Sequence, residues 1–263
     1  MFYALAEGKV DTGEIRYVHE LADIETLNRR ALAGELEVSA VSIHAYAYLT
    51  DRYSLLSSGA SMGDGYGPRL VAREPSPDNP RDALVGRRIA VPGLRTTAYL
   101  GLKLYQPEVE TVVVPFDQIG AAVAAGKVDL GLLIHEGQLT FAEEGLHLWQ
   151  DLGAWWKNET GLPLPLGGNV VRRDLGAKVV SQVARDLHAS IEYGLAHRQP
   201  ALAHAGRFSR GLSDRATDEF VGMYVNHWTL DYGPEGRKAV QLLLDRGADA
   251  GIIPHRVRVE FVG

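Results

Sequence analysis

Short apolar runs and stretches of period near two alternate along this chain with stretches whose apolar residues recur at helical spacing. That alternation predicts strands interleaved with helices, the grammar of βαβ units, and so an α/β fold on mostly parallel sheet. Residues 15–21 read as a strand, after which Asp23 caps a helix carrying Ile24, Leu27 and Ala31 on one face and stopping at Gly34. A strand at 36–41 and a short helix at 42–49 follow. The same grammar returns as strand 87–91, helix 96–105, strand 110–114, helix 117–125 with Gly126 as stop, and strand 128–134. Between the two runs lie a strand at 53–56, a glycine-rich stretch at 59–67, a strand at 69–73 and a Pro-rich loop at 74–80. One more strand is predicted at 169–172, then helices over 177–197, 214–226 and 236–245, the last stopped by Gly247. Residues 2–6 read as the end of a helix with no strand ahead of it.

The Pro-rich loop is the first predicted boundary. Residues 1–86 together with about 190–263 are expected to form one α/β lobe with the C-terminal helices, lacking its first strand. Residues from about 87 to about 189 are expected to form a second α/β lobe, with a ligand cleft between the two. The run Leu162-Pro163-Leu164-Pro165 favours extended backbone and suits the second crossing between lobes.

Composition narrows the function classes. Hydrophobic residues at 46% and charged residues at 23% in 263 residues are those of a folded globular chain, which excludes disorder and fibrous architectures. Lys and Arg number 27 against 33 Asp and Glu, a net charge of −6 with no long basic run, so nucleic acid is not an expected partner. No apolar run approaches the roughly 18 residues of a membrane span, and the opening residues carry no positive leader, so a cytoplasmic location is expected. The absence of cysteine removes disulfides, thiolate metal sites and a cysteine nucleophile together.

Two strand-to-helix junctions offer chemistry. Val91-Pro92-Gly93-Leu94-Arg95-Thr96-Thr97-Ala98-Tyr99 passes from a buried-type strand through a Pro-Gly turn into a helix that opens on two threonines. Unpaired N–H groups, two hydroxyls and the positive end of a helix dipole make a carboxylate or phosphate receptor there, while ordinary N-capping by threonine explains the same residues. Ser39-Ala40-Val41-Ser42 is a second junction of this kind in the other lobe, and Ser42 as a simple cap accounts for it as well. His135 directly follows the apolar run 130–134 and should emerge at the carboxyl end of a central strand, where open α/β sheets place their ligands. A neutral imidazole there serves as a general base near neutral pH, or sits buried against a backbone carbonyl. Glu136 beside it does not make a zinc helix, because Leu139 stands where the second histidine belongs, so no metal is expected.

Three patterns mislead. Gly59-Ala60-Ser61-Met62-Gly63 matches a nucleophile elbow in letters, but a strand follows where a helix is required. Gly63-Asp64-Gly65-Tyr66-Gly67 has the wrong glycine spacing for a dinucleotide loop and reads as a mobile loop or hinge. Asn158-Glu159-Thr160 is a glycosylation sequon without meaning inside a cell. Trp155 and Trp156 pack the lobes together or form aromatic walls for a flat ligand.

Taken in order, Val91-Pro92-Gly93 through Thr96-Thr97-Ala98-Tyr99, Gly131-Leu132-Leu133-Ile134-His135-Glu136 with Thr140, Asp151-Leu152-Gly153-Ala154-Trp155-Trp156, Thr160-Gly161-Leu162-Pro163-Leu164-Pro165-Leu166-Gly167 and Arg172-Arg173-Asp174-Leu175-Gly176 resemble the 1,4-dihydroxy-6-naphthoate synthase family of the futalosine route to menaquinone. The resemblance runs from Phe2 to about Leu244 and includes Ile24-Glu25-Thr26-Leu27-Asn28 and Asp51-Arg52-Tyr53. It implies a two-lobed fold like type II periplasmic binding proteins, used as a cofactor-free lyase that cleaves cyclic dehypoxanthine futalosine, a small-molecule carboxylate, into 1,4-dihydroxy-6-naphthoate and dihydroxyacetone. By position, His135 matches the catalytic base, Thr96 and Thr97 the substrate-binding pair, and Ala40, Val41 and Ser42 a substrate-binding strand end. The family opens with a strand and a Ser-Pro-Cys-Pro-Asn-Asp-Thr loop that has no counterpart before Phe2, so an unpaired gap in the first lobe's sheet is expected. The related chorismate dehydratase fits the Trp155-Trp156 and Leu162–Pro165 stretches less well, and a non-catalytic solute-binding protein is the rival from a different class.

Overall fold

The computed structural model describes residues 1–207 and 214–263. Its strands are β1 (Val38–Ser42), β2 (Tyr53–Leu56), β3 (Ser61–Gly63), β4 (Arg69–Ala72), β5 (Arg88–Val91), β6 (Glu110–Val113), β7 (Leu130–Leu133), β8 (His147–Asp151), β9 (Leu164–Arg172) and β10 (Phe261–Val262). They form two five-stranded sheets, one in the order β1-β9-β2-β10 with β3 also on β9, the other in the order β6-β5-β7-β4-β8.

The strands of the βα units run one way and the two crossing strands run the other. In the first sheet β9 is antiparallel to β1, β2 and β3, while β10 is parallel to β2. In the second, β5 is parallel to β6 and β7, and β4 is antiparallel to β7 and β8. The expectation of mostly parallel sheet is therefore corrected to mixed sheet. A strand reached through a helix re-enters its sheet in the same sense, whereas β4 and β9 arrive from the opposite lobe and slot in reversed. Sheet membership also puts the crossings at 64–68 and 152–163: the first lies ahead of the Pro-rich loop, and the second lies ahead of the expected boundary near residue 189 and runs into the Leu162–Pro165 stretch that reads as a crossing.

Period-two alternation sorts the second sheet's side chains onto two faces. Leu70, Ile89, Val91 and Leu132 pack with Ala98 and Leu102 of helix Thr97–Tyr105. Val71, Ala90 and Leu133 pack on the other face with Ile119 and Val123 of helix Ile119–Ala124. Helix Ala177–Ala196 lays Val183, Leu187 and Ile191 on Leu56 and Val171 of the first sheet. Helix Gly233–Asp249 adds Val240, Leu243 and Leu244 to the core that holds Val41, Leu55 and Val170.

Helix Ile24–Ala33 forms as its sequence predicts, with the Asp23 carboxylate accepting from Thr26 N–H and Gly34 in the left-handed region at φ 75°. Three expectations fail. Residues 15–21 keep their alternation, with Ile15 and Tyr17 against the helix Ala177–Ala196 cluster, but form no strand, and Val18 and Leu21 stay about four-fifths exposed at 78% and 80%. A strand needs a ladder partner, and among the described residues none lies along this segment; the β1 edge away from β9 is likewise unpaired. Gly247 does not stop the last helix, which continues to Asp249: the left-handed turn falls instead on Gly251 at φ 69°, and the missing Gly247 Cβ makes room for Ile253, whose Cδ1 would lie 2.7 Å from it. The glycine-rich crossing is tightly packed and not a loose hinge. A Cβ on Gly153 would sit 1.8 Å from the Tyr66 carbonyl oxygen, and the Leu152 N–H donates to the Pro68 carbonyl at 2.9 Å, so the two crossings touch backbone to backbone.

Candidate active site

The carboxyl ends of β1, β5 and β7 converge, as open α/β sheets require of a ligand site. β1 ends in Ser42, β5 leads through a turn to Thr96 and Thr97, and β7 leads to His135; these four residues line one cavity of about 250 Å³. Its walls are completed by Ile24, Ser61, Gln138, Leu166, Phe220 and Tyr224. Ala40 and Val41 do not line it. Ala40 pairs with Asn169 in the ladder and Val41 is buried in the first lobe's core, so of this strand end only Ser42 reaches the cavity. Ser61 lines the cavity from β3, without the strand-to-helix elbow a serine nucleophile requires. A larger cavity of about 350 Å³, walled by Phe2, Leu21, Leu195, Leu202 and Val221, contains none of the strand-end residues.

His135 has φ 58°, the one positive value outside glycine among the described residues. Left-handed backbone is uncommon for residues with a Cβ and clusters where a site needs a side chain re-aimed. The turn brings the imidazole to the cavity, with the Phe116 ring edge-on at 4.8 Å.

The two threonines have different duties. The Thr96 hydroxyl donates to the Gly93 carbonyl at 2.8 Å and accepts from Tyr99 N–H at 3.2 Å, a complete N-cap for helix Thr97–Tyr105. The Thr97 hydroxyl accepts the His44 backbone N–H at 3.2 Å, which ties the helix start to the other lobe. Ser42 is held by Asn28: the amide oxygen accepts the Ser42 N–H at 2.9 Å and the amide nitrogen donates to the Ser42 hydroxyl at 3.1 Å, all three groups buried.

His44 is fully buried at the lobe boundary, its ring stacked 6.1 Å from Tyr99 and its Nδ1 3.2 Å from the Thr96 carbonyl. A carbonyl only accepts, so Nδ1 carries the proton and Nε2 is the acceptor, which meets no partner among the described residues. Burial lowers its pKa to about 4, and the nearby Arg95 pushes the same way. Tyr224, from helix Asp214–Tyr224, donates to the Gln138 Oε1 at 2.9 Å and so bridges the lobes within the cavity wall; burial raises its hydroxyl pKa.

Sequence pattern alone misses Asn28, His44, Gln138 and Tyr224, each of which reads as an ordinary residue of a predicted helix or turn. Trp155 and Trp156 fall on the packing side of their two readings. Trp156 is fully buried with its indole N–H donating to the Pro163 carbonyl at 3.1 Å, and Trp155 stands edge-on to Tyr105 at 5.3 Å and joins the cores of both lobes. Among the described residues no group of three or more histidine, aspartate and glutamate side chains is placed to hold a metal ion, and no helix is long and apolar enough to cross a membrane.

Residues 1–249 match the family model described as menaquinone biosynthesis. The chain is 42% identical over 262 residues to the 1,4-dihydroxy-6-naphthoate synthase of Thermus thermophilus, covering 100% of this chain and 94% of that one. It is 37% identical over 260 residues to the enzyme of the same name from Streptomyces coelicolor, covering 97% and 90%. The crystal structure of protein AF1704 from Archaeoglobus fulgidus superposes with a TM-score of 0.90 at 45% identity, over 95% of this chain and 92% of that one. The alkanesulfonate-binding protein SsuA from Xanthomonas axonopodis pv. citri, at 16% identity and a TM-score of 0.68 over 98% and 90%, shares the fold alone. The architecture is thus the two-lobed type II periplasmic-binding-protein fold. With a family model spanning almost its whole length and curated relatives at these identities, the chain belongs to the menaquinone-biosynthesis family.

Proposed function

We propose that this chain is a 1,4-dihydroxy-6-naphthoate synthase, a cofactor-free carbon–carbon lyase of the cytoplasm that cleaves cyclic dehypoxanthine futalosine into 1,4-dihydroxy-6-naphthoate and dihydroxyacetone. The observation that carries the reading is the meeting of His135, Ser42 and the Thr96-Thr97 helix start in one cavity. The substrate's carboxylate lies against the start of helix Thr97–Tyr105, where the Thr96 cap uses Tyr99 N–H and leaves the first N–H groups and the dipole to an anion. Ser42 adds a hydroxyl from the opposite lobe, delivered by Ala40 and Val41 through their ladder with β9. His135 is the general base whose proton abstraction starts C–C cleavage, and Phe220, Tyr224, Ile134 and Leu166 exclude water around it.

General-base assistance contributes about 10² to 10⁴ in rate. His135→Ala is therefore expected to lower kcat by at least about 10² with KM within a few-fold of the parent. Mass-spectrometric detection of dihydroxynaphthoate from cyclic dehypoxanthine futalosine checks this, and near-normal turnover by the variant removes His135 from the mechanism. Binding of intact substrate without product from the parent protein instead indicates a solute-binding protein, the use the fold alone would equally support.

A further inference from the structure

The hydrogen-bond sense of the cavity's hydroxyls is decided by groups behind them. A hydroxyl has one proton to donate, and a neighbour that can only donate forces it to accept. The Ser42 N–H is such a donor, so the Asn28 amide must turn Oδ1 toward it and Nδ2 toward the Ser42 hydroxyl, with no freedom to flip. The Ser42 oxygen thereby accepts from Asn28, and among the described residues its proton meets no protein acceptor; it belongs to the cavity. The Thr97 hydroxyl is in the same position, since it accepts the His44 N–H. The Thr96 hydroxyl differs, because its proton is taken by the Gly93 carbonyl.

We propose that Asn28 is a positioning residue that fixes the Ser42 hydroxyl as a donor, so that Ser42 and Thr97 present two O–H donors to one acceptor-only group, the substrate's carboxylate, while the Thr96 hydroxyl serves only the helix cap. This rests on the reading above that a carboxylate binds here. Asn28 touches no substrate: it is buried behind Ser42 and does not line the cavity.

Asn28→Asp converts the idea into a pH measurement. While protonated, the introduced carboxyl copies the amide, its carbonyl accepting the Ser42 N–H and its O–H donating to the Ser42 oxygen. Once ionised it only accepts, so the Ser42 proton turns back to it and the hydroxyl's lone pairs face the substrate's carboxylate. The groups that titrate or carry charge around the pair are Glu25, raised by burial and eased by the Asn28 amide, Asp23, Arg29, Arg95, His44 and His135. All are shared with the parent protein, but the introduced carboxyl also replaces the amide that eases Glu25 and raises Glu25 further, so the part of the pH step carried by the Ser42 hydroxyl is read by removing that hydroxyl as well.

Dissociation constants are measured by calorimetry across pH for 1,4-dihydroxy-6-naphthoate and for its carboxamide, on the parent, N28D, S42A and the N28D/S42A double variant, each checked for a native unfolding transition. The parent is expected to prefer the carboxylate by about tenfold or more. N28D should match it at low pH and lose about tenfold in carboxylate affinity as its new carboxyl ionises, and S42A should lose about tenfold at every pH. In the double variant the pH step should shrink, because the hydroxyl through which Asn28 acts is gone. The proposal is overturned by a folded N28D with the parent's profile, by a step that persists undiminished in the double variant, or by a parent that does not bind the carboxylate or binds the carboxamide as tightly. Failure of the parent to turn over cyclic dehypoxanthine futalosine, with the carboxylate preference intact, overturns the lyase reading and leaves the donor assignment standing.

Discussion

His44 buries an imidazole between the lobes, donates from Nδ1 to the Thr96 carbonyl, and has its pKa lowered to about 4 from the ordinary 6.5 by loss of water. Between those two values the unfolded chain binds more protons than the folded one, so stability rises with pH through the window and is flat above it. On going from pH 7 to pH 5 this group alone should remove about 2 kcal/mol from the unfolding free energy. His44→Gln, which can still donate to the Thr96 carbonyl, should abolish that share of the slope; urea denaturation at the two pH values measures it. Equal slopes in parent and variant would mean that His44 titrates normally in the fold.

At the scale of elements, Asp151 joins three of them. It ends β8, caps helix Leu152–Thr160 by accepting Gly153 and Ala154 N–H at 2.9 and 3.1 Å, and meets Arg69 of β4 at 3.3 Å. Burial is the larger influence on its carboxyl and raises its pKa, with the two N–H groups and Arg69 opposing. Asp151→Ala removes the cap and takes the carboxylate from the part-buried Arg69 guanidinium, which keeps the Gln138 carbonyl, and should lower stability by about 2 kcal/mol. Asp151→Asn keeps one capping oxygen and should recover part of the loss, which the midpoints of urea unfolding will resolve.

For the molecule as a whole, the two lobes are held at fixed spacing where their crossings touch. Gly153 has no room for a Cβ, since Tyr66 backbone lies 1.8 Å from where it would stand. Gly153→Ala must push the crossings apart and is expected to destabilise by about 3 kcal/mol or more. Because the cavity walls come from both lobes, the same variant should weaken binding of 1,4-dihydroxy-6-naphthoate. A thermal midpoint and a dissociation constant both near the parent's would show that the crossing tolerates displacement.

Much of this protein is determined locally. Asp23 and Gly34 bound helix Ile24–Ala33 because capping and left-handed backbone are properties of a few neighbouring residues. Strands β1, β2, β5, β6 and β7, the helix that opens on Thr96-Thr97, and the placement of Ser42 and His135 at strand ends follow from the same short-range pattern, and the family resemblance from an ordered set of motifs. What tertiary structure alone decided is everything that needs a partner far along the chain. Residues 15–21 alternate like a strand but among the described residues have no ladder to join, and β4 and β9 run backwards because they come from the other lobe. Ala40 and Val41 face a ladder and a core while Ser42 faces the cavity. Asn28, His44, Gln138 and Tyr224 matter through contacts made across the fold: the Asn28 amide with Ser42, His44 with the Thr96-Thr97 turn, and the Tyr224 hydroxyl with Gln138. A hydroxyl's letter in the sequence says that it can donate or accept; only the group packed behind it settles which.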